Sequence, residues 1–173
     1  ILALYTAPME DLLVTCCEGL HEIIPFDHSY TSLNDQSDKF KTAFNYRSID
    51  TDEEITALYA DHYHTVDYLS WFYNQCIPAT TRATDLMHPD AIEKSRIHQE
   101  WEKRIGIFYT AIACIAADDI LFGTISLMRS KEHGDFTDEE MRIFDEVNRH
   151  LCNRFAIVYP NGVNRFMADC DTD

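Results

Sequence analysis

Ile107-Phe-Tyr-Thr-Ala-Ile-Ala-Cys-Ile-Ala116 is a run of β-formers, Ala117-Asp118-Asp119 is a short polar break, and Leu121-Phe-Gly-Thr-Ile-Ser-Leu-Met128 is a second such run. Two runs joined by so short a break predict an antiparallel hairpin. A charged segment from Arg129 ends on Gly134, and Phe136-Thr-Asp-Glu-Glu-Met141 then opens a helix. The Thr137 side chain can accept from the Glu140 amide while the Glu140 carboxylate reaches back, and Phe136 with Met141 can close over that turn. Met141, Phe144, Val147, Leu151, Phe155 and Val158 recur at helical spacing, so one face is apolar. A hairpin carrying a docked helix is a two-layer α+β unit.

Upstream, Pro8 to Ile24 reads as an amphipathic helix, with Pro25 marking its stop. Asp27 to Asn34 and Phe40 to Ser48 alternate as strands around the turn residues Asp35-Gln-Ser-Asp38, which makes a second hairpin. Thr51 with Glu54 opens a further helix that the pattern carries to about Asn74. That segment holds Tyr59, Tyr63, Tyr68, Trp71, Phe72 and Tyr73, more aromatics than any other. Thr80 to Thr84 reads as a short strand, and Pro89 to Ile92 and Ser95 to Arg104 as helical. Asn161 to Asp173 lacks periodicity and reads as a tail or linker, leaving residues 1–160 as the domain.

The chain has 173 residues, 46% of them hydrophobic, enough for one domain with a proper core. Its formal net charge is −16, so it offers no basic surface for phosphate backbones or anionic membranes. No apolar run is long enough to span a bilayer, and no segment reads as a signal peptide. The expectation is a soluble cytoplasmic protein. The chain opens at Ile1 rather than methionine, which reads as a piece of something longer. Six scattered cysteines, with no Cys-x-x-Cys pair, read as buried thiols rather than disulfides.

The element order is helix, two strands, a long helical insertion, two strands, helix. Both end helices can lie on one face of a single sheet, which leaves the insertion from Asp50 to Ile105 to roof the other and to enclose a cavity. Tyr30, Phe44, Tyr46, Tyr59, Tyr63, Tyr68, Trp71, Trp101, Phe108 and Tyr109 could line it, since tyrosine offers apolar area plus a hydroxyl; each is also suited to plain core packing. His62 and His64 are two apart, a spacing that points their rings to different sides of a helix, so no metal site is expected and a polar contact for His64 is. No phosphate-binding glycine loop or Gly-x-Ser-x-Gly elbow occurs.

Four segments carry a family resemblance: Tyr63-His-Thr-Val-Asp67, Thr81-Arg-Ala-Thr-Asp85, Phe122-Gly-Thr-Ile-Ser-Leu and Phe136-Thr-Asp-Glu-Glu. In order and spacing the chain from about Glu10 to Val158 resembles a GAF domain, and more narrowly the GAF-like sensor at the amino end of LuxR-type bacterial transcription regulators. Tyr68 stands where that group has proline, so a helix is expected to run through in place of a turn. Bilin-carrying GAF domains have a cysteine followed by histidine, but Ile115 follows Cys114. The cyclic-nucleotide-binding Asn-Lys-Phe-Asp-Glu set is not found. The resemblance implies an α+β, GAF/PAS-like antiparallel sheet of about five or six strands, with N- and C-terminal helices on one face and the aromatic-rich insertion on the other. It also implies a non-catalytic sensor without cofactor or metal. A small molecule would be held by some of Tyr30, Phe44, Tyr46, Tyr63, His64, Tyr68, Trp71, Trp101, Phe108 and Tyr109. A homodimer would form through the terminal helices (Asn153, Arg154, Ile157, Tyr159), and DNA would be reached only through a separate helix-turn-helix module. The alternatives are a dimerisation or interaction module with a filled core, and an enzyme built on Cys114 or on His62 and His64.

Overall fold

The structure, a computed structural model, describes residues 1–37 and 43–165. Along the chain it contains α1 (Leu2–Thr6), α2 (Leu12–His21), β1 (His28–Asn34), β2 (Ala43–Ile49), α3 (Glu53–Asp61), a 3₁₀ turn (Tyr63–Val66), α4 (Ser70–Tyr73), β3 (Ala79–Arg82), α5 (Ala83–Leu86), α6 (Pro89–Lys94), α7 (Arg96–Glu100), a second 3₁₀ turn (Glu102–Ile105), β4 (Tyr109–Ala117), β5 (Ile120–Arg129) and α8 (Asp138–Val158). The five strands form one antiparallel sheet in the order β2-β1-β5-β4-β3.

The β4–β5 hairpin turns on Asp118 and Asp119 at φ 51° and 65°. Two left-handed residues in succession suit a two-residue connection whose twist matches the strands, and aspartate tolerates that conformation better than a branched residue. Side chains alternate along β4. Ala111, Ala113 and Ile115 join the core under α1, α2 and α8, while Ile112, Cys114 and Ala116 face the insertion. Helix α8 crosses β4 and β3, and α2 lies on β1 and β2, so both terminal helices do cover one face.

Thr137 caps α8 and accepts from the Glu140 amide at 3.3 Å, while the Thr137 amide donates to Glu140 Oε2 at 2.7 Å. The far end departs from the expected apolar stripe: Val158 is 45% exposed, because the chain turns away at Tyr159.

Two helices are shorter than their composition suggests. The residue before a proline is pushed out of helical conformation, and Ala7 has ψ 144°. The expected Pro8–Ile24 helix instead begins at Leu12, after turns through Met9 and Asp11, and ends at His21, while α1 lies upstream of Pro8. The aromatic segment also breaks, at His62 and again at Asp67. There the Asp67 carboxylate takes the Leu69 amide at 2.8 Å, replacing a helical bond with a side-chain turn. A turn thus stands at Asp67-Tyr68 without the proline, where a continuous helix was expected. Asp52, not Thr51, caps α3; the Thr51 hydroxyl is engaged with His28 Nδ1 at 3.0 Å.

The expected alternation through Phe40 and Thr42 falls outside the described residues. Within β2, Thr31 pairs with Arg47 but Leu33 pairs with Phe44, so β2 carries one extra residue opposite β1. Asn45 takes it up at φ 50°. A bulge of this kind reverses which face the following side chains point to. Phe44 consequently joins the core beneath the terminal helices, whereas Ser48, opposite Tyr30, faces the insertion.

After α8 the chain returns to the body. Val163 is buried, its carbonyl accepts from the Gln36 amide at 2.8 Å, and Arg165 pairs with the buried Asp35 at 2.6 Å. No helix among the described residues is long and apolar enough to cross a membrane.

Candidate functional site

Between the sheet and the insertion lies a cavity of about 380 Å³. From β1 come Tyr30, Ser32 and Asn34, from β5 Thr124 and Ser126, and from β2 Ala43 and Tyr46. The opposite wall is Tyr59 and Ala60 of α3, His64 of the 3₁₀ turn, and Ser70, Tyr73 and Asn74 at α4. The floor is polar because alternate residues of β1 and β5 are small and hydroxylic, and Ser32 Oγ and Thr124 Oγ1 bond across the strands at 3.0 Å.

Tyr59 organises the wall. Its ring lies 5.6 Å from Tyr30, 6.0 Å from Tyr46 and 5.1 Å from Trp101, at tilted or perpendicular angles. Its hydroxyl donates to Asp67 Oδ2 at 2.7 Å. The Tyr30 hydroxyl donates to Thr56 at 3.2 Å, and Trp101 Nε1 donates to the Ile55 carbonyl at 3.2 Å. Behind Tyr30, Tyr59, Tyr73 and Ser126 lies a recess of about 30 Å³, also bounded by Asp67, Trp101, Glu102, Thr110 and Met128.

That recess is acidic. Burial raises the Asp67 carboxyl above the usual carboxylate range, although the Leu69 amide and Tyr59 hydroxyl oppose it. Burial likewise raises Glu102, against the hydrogen bond at 2.9 Å from His98. Burial pushes the Tyr30 phenol up to about 12, and it raises Tyr46, with the Asp67 charge adding to the effect.

Of the residues singled out in the sequence, Tyr30, Tyr46 and His64 border the cavity and Trp101 borders the recess. The other six lie elsewhere. Phe44 and Tyr109 are on the terminal-helix face, Phe44 because of the bulge and Tyr109 because it shares strand parity with Ala111. Tyr63 is packed with Ile97, Trp101 and Ile107. Tyr68 bridges two core clusters, and its hydroxyl is buried without a hydrogen-bond partner. Trp71 is 51% exposed, on the outside of the short α4. Phe108 stacks against His98 and under Lys131. Tyr59, Tyr73 and the hydroxyl floor complete the site. Strand alternation from Tyr30 to Ser32, and from Thr124 to Ser126, is the signal that could have found the floor; the sequence reading, which followed the aromatics, missed it.

His62 lies on the outer surface, where it meets Arg96 at 3.3 Å. Among the described residues no group of histidines, cysteines and carboxylates could hold a metal. Cys16, Cys17, Cys114 and Cys152 are buried free thiols, and Cys170 lies outside the described residues. Burial pushes Cys17 and Cys114 up to about 12, the opposite of what a thiolate nucleophile needs.

No family model matches the sequence, and no curated protein is detectably similar. Solved structures are similar in fold. The GAF domain/HD domain protein from Geobacter sulfurreducens superposes with a TM-score of 0.61 at 10% identity over 89% of this chain and 97% of that one. Escherichia coli SdiA gives 0.64 at 9% identity over 92% of this chain and 65% of that longer one. The N-acylhomoserine-lactone-dependent LuxR-family transcription factor CepR2 from Burkholderia cenocepacia gives 0.58 at 14% identity over 91% of this chain and 88% of that one. The fold of the chain is thus similar to that of GAF domains and of LuxR-family transcription factors.

Proposed function

We propose that this domain is a non-catalytic signal receiver of a bacterial transcription regulator, binding a small molecule between sheet and insertion. The observation that carries this reading is the cavity itself: about 380 Å³, within the size range of small-molecule sites, with aromatic walls and a few convergent polar groups. The sequence resemblance to LuxR-type sensors and the fold shared with SdiA and CepR2 support it. Ligand would bind the insertion and the sheet together and so order the cover. Such a role places the protein in the cytoplasm and leaves DNA contact to a separate helix-turn-helix module.

A metabolite screen by thermal shift tests the reading. A binder present at a hundred times its dissociation constant should add about 2.7 kcal/mol of stability, and Ser126→Phe, which fills the floor, should abolish the gain while leaving the protein folded. The reading fails if no compound class raises the melting temperature.

A homodimer through the terminal helices is a second, compatible reading. It is favoured by Leu2 at 79% and Ile157 at 77% exposure on neighbouring helices. Arg154 is engaged within the chain with the Leu4 and Ala7 carbonyls of the α1 segment. Asn153 and Ile157 are the outward members of the expected surface.

A further inference from the structure

We propose that the ligand is an organic cation, an amine or quaternary ammonium with an apolar body, held against the tyrosine wall. This rests on the cavity being a ligand site. No lysine or arginine is among the described residues that line it, although the chain has 14. Among the described lining residues an anionic ligand would meet no fixed positive charge to offset its desolvation. Among the described lining residues the one basic side chain, His64, is exposed.

What the wall offers instead is aromatic. Tyr30, Tyr46, Tyr59 and Tyr73 border the cavity, and the Tyr30–Tyr59 and Tyr46–Tyr59 planes cross at 58° and 75°. The rings pack on one another at centroid separations of 5.6 and 6.0 Å and together present aromatic surface to the cavity, and aromatic faces attract ammonium groups. Behind them two buried carboxylates point the same way. Asp67 takes only the Tyr59 hydroxyl and the Leu69 amide, and Glu102 takes His98. Neither is ion-paired to a lysine or arginine among the described residues. Tyr59 carries the link, because its hydroxyl donates to Asp67 while its ring forms the cavity wall. A neutral guest would gain nothing from the electron-rich ring faces; a cation would.

The test uses acetylcholine, its neutral carbon isostere 3,3-dimethylbutyl acetate, and the anion 3,3-dimethylbutanoate, titrated by calorimetry and by Trp101 fluorescence. The cation should bind at least about tenfold tighter than its isostere, and the anion should not bind. Tyr46→Leu should weaken the cation about tenfold and leave the isostere unchanged, whereas Tyr46→Phe, which keeps the ring, should stay within about twofold. An isostere or anion that binds as well as the cation overturns the inference and leaves the sensing role standing. If none of the three binds, the charge of the metabolite-screen hits decides: cationic hits uphold the inference, and neutral or anionic hits overturn it. A screen with no hits removes both.

Discussion

At Gly123, β5 passes so close to β1 that a Cβ would sit 2.3 Å from the Ser32 carbonyl oxygen. That oxygen belongs to the backbone, so only a shift of the strand could relieve the clash. Gly123→Ala should therefore cost about 1–3 kcal/mol or more in urea unfolding. It should also loosen the cavity floor, since Ser32 and Thr124 flank the contact. Gly19, inside α2, has nothing within 4 Å of its Cβ position. Gly19→Ala should add about 0.5–1 kcal/mol. The two glycines look alike in the sequence and are opposite in consequence, because only one meets a backbone from another strand. The same contrast runs through the aromatics. Tyr30 and Phe44 were named alike as cavity candidates, and only Tyr30 borders the cavity. One left-handed residue at Asn45 put Phe44 and Ser48 on opposite faces, and nothing in the residue types announced it.

Among the elements, α8 is fixed at its start by Arg129, which is 4% exposed. Its guanidinium bonds the Pro25 carbonyl at 2.6 Å, the Asp135 carbonyl at 3.2 Å and both oxygens of Glu140, the shorter at 2.5 Å. Arg129→Met removes one partner of a nearly buried pair and should cost about 3–5 kcal/mol. Burial tends to raise Glu140, but the bonds from Arg129 and Thr137 outweigh it, so its carboxyl is held below the usual range. A carboxyl lowered in the fold stabilises above its unfolded value, about 4.3, and loses that contribution as pH falls through the folded value. Glu140→Gln should therefore be clearly less stable than the parent at pH 6, and the gap should narrow as urea unfolding is repeated down to pH 3. The Thr137–Glu140 capping box was readable from two residues three apart. Arg129 was not, because its partners come from three separate segments. A turn after Pro8 delayed α2 to Leu12, and the Asp67 carboxylate broke a helix whose composition alone ran on, each a local effect stronger than propensity.

For the molecule as a whole, the layer order was legible because period two in the strands and period 3.6 in the end helices leave few ways to bury both. The shape of the roof was not, since it is built from short helices and two 3₁₀ turns whose joins are set by side-chain bonds such as that of Asp67. The exposed Leu2 and Ile157 give the dimer reading its own check. Sedimentation at tens of micromolar should find a dimer, and Ile157→Glu should find a monomer whose melting is unchanged within about 0.5 kcal/mol. The way the backbone leaves α8 has a mechanical consequence. Asn34 and Ala43 line the cavity, and the intervening Asp35 and Gln36 moor Arg165 and Val163. A shift of that wall is thereby passed to Val163 and Arg165, with no bending of the long helix required.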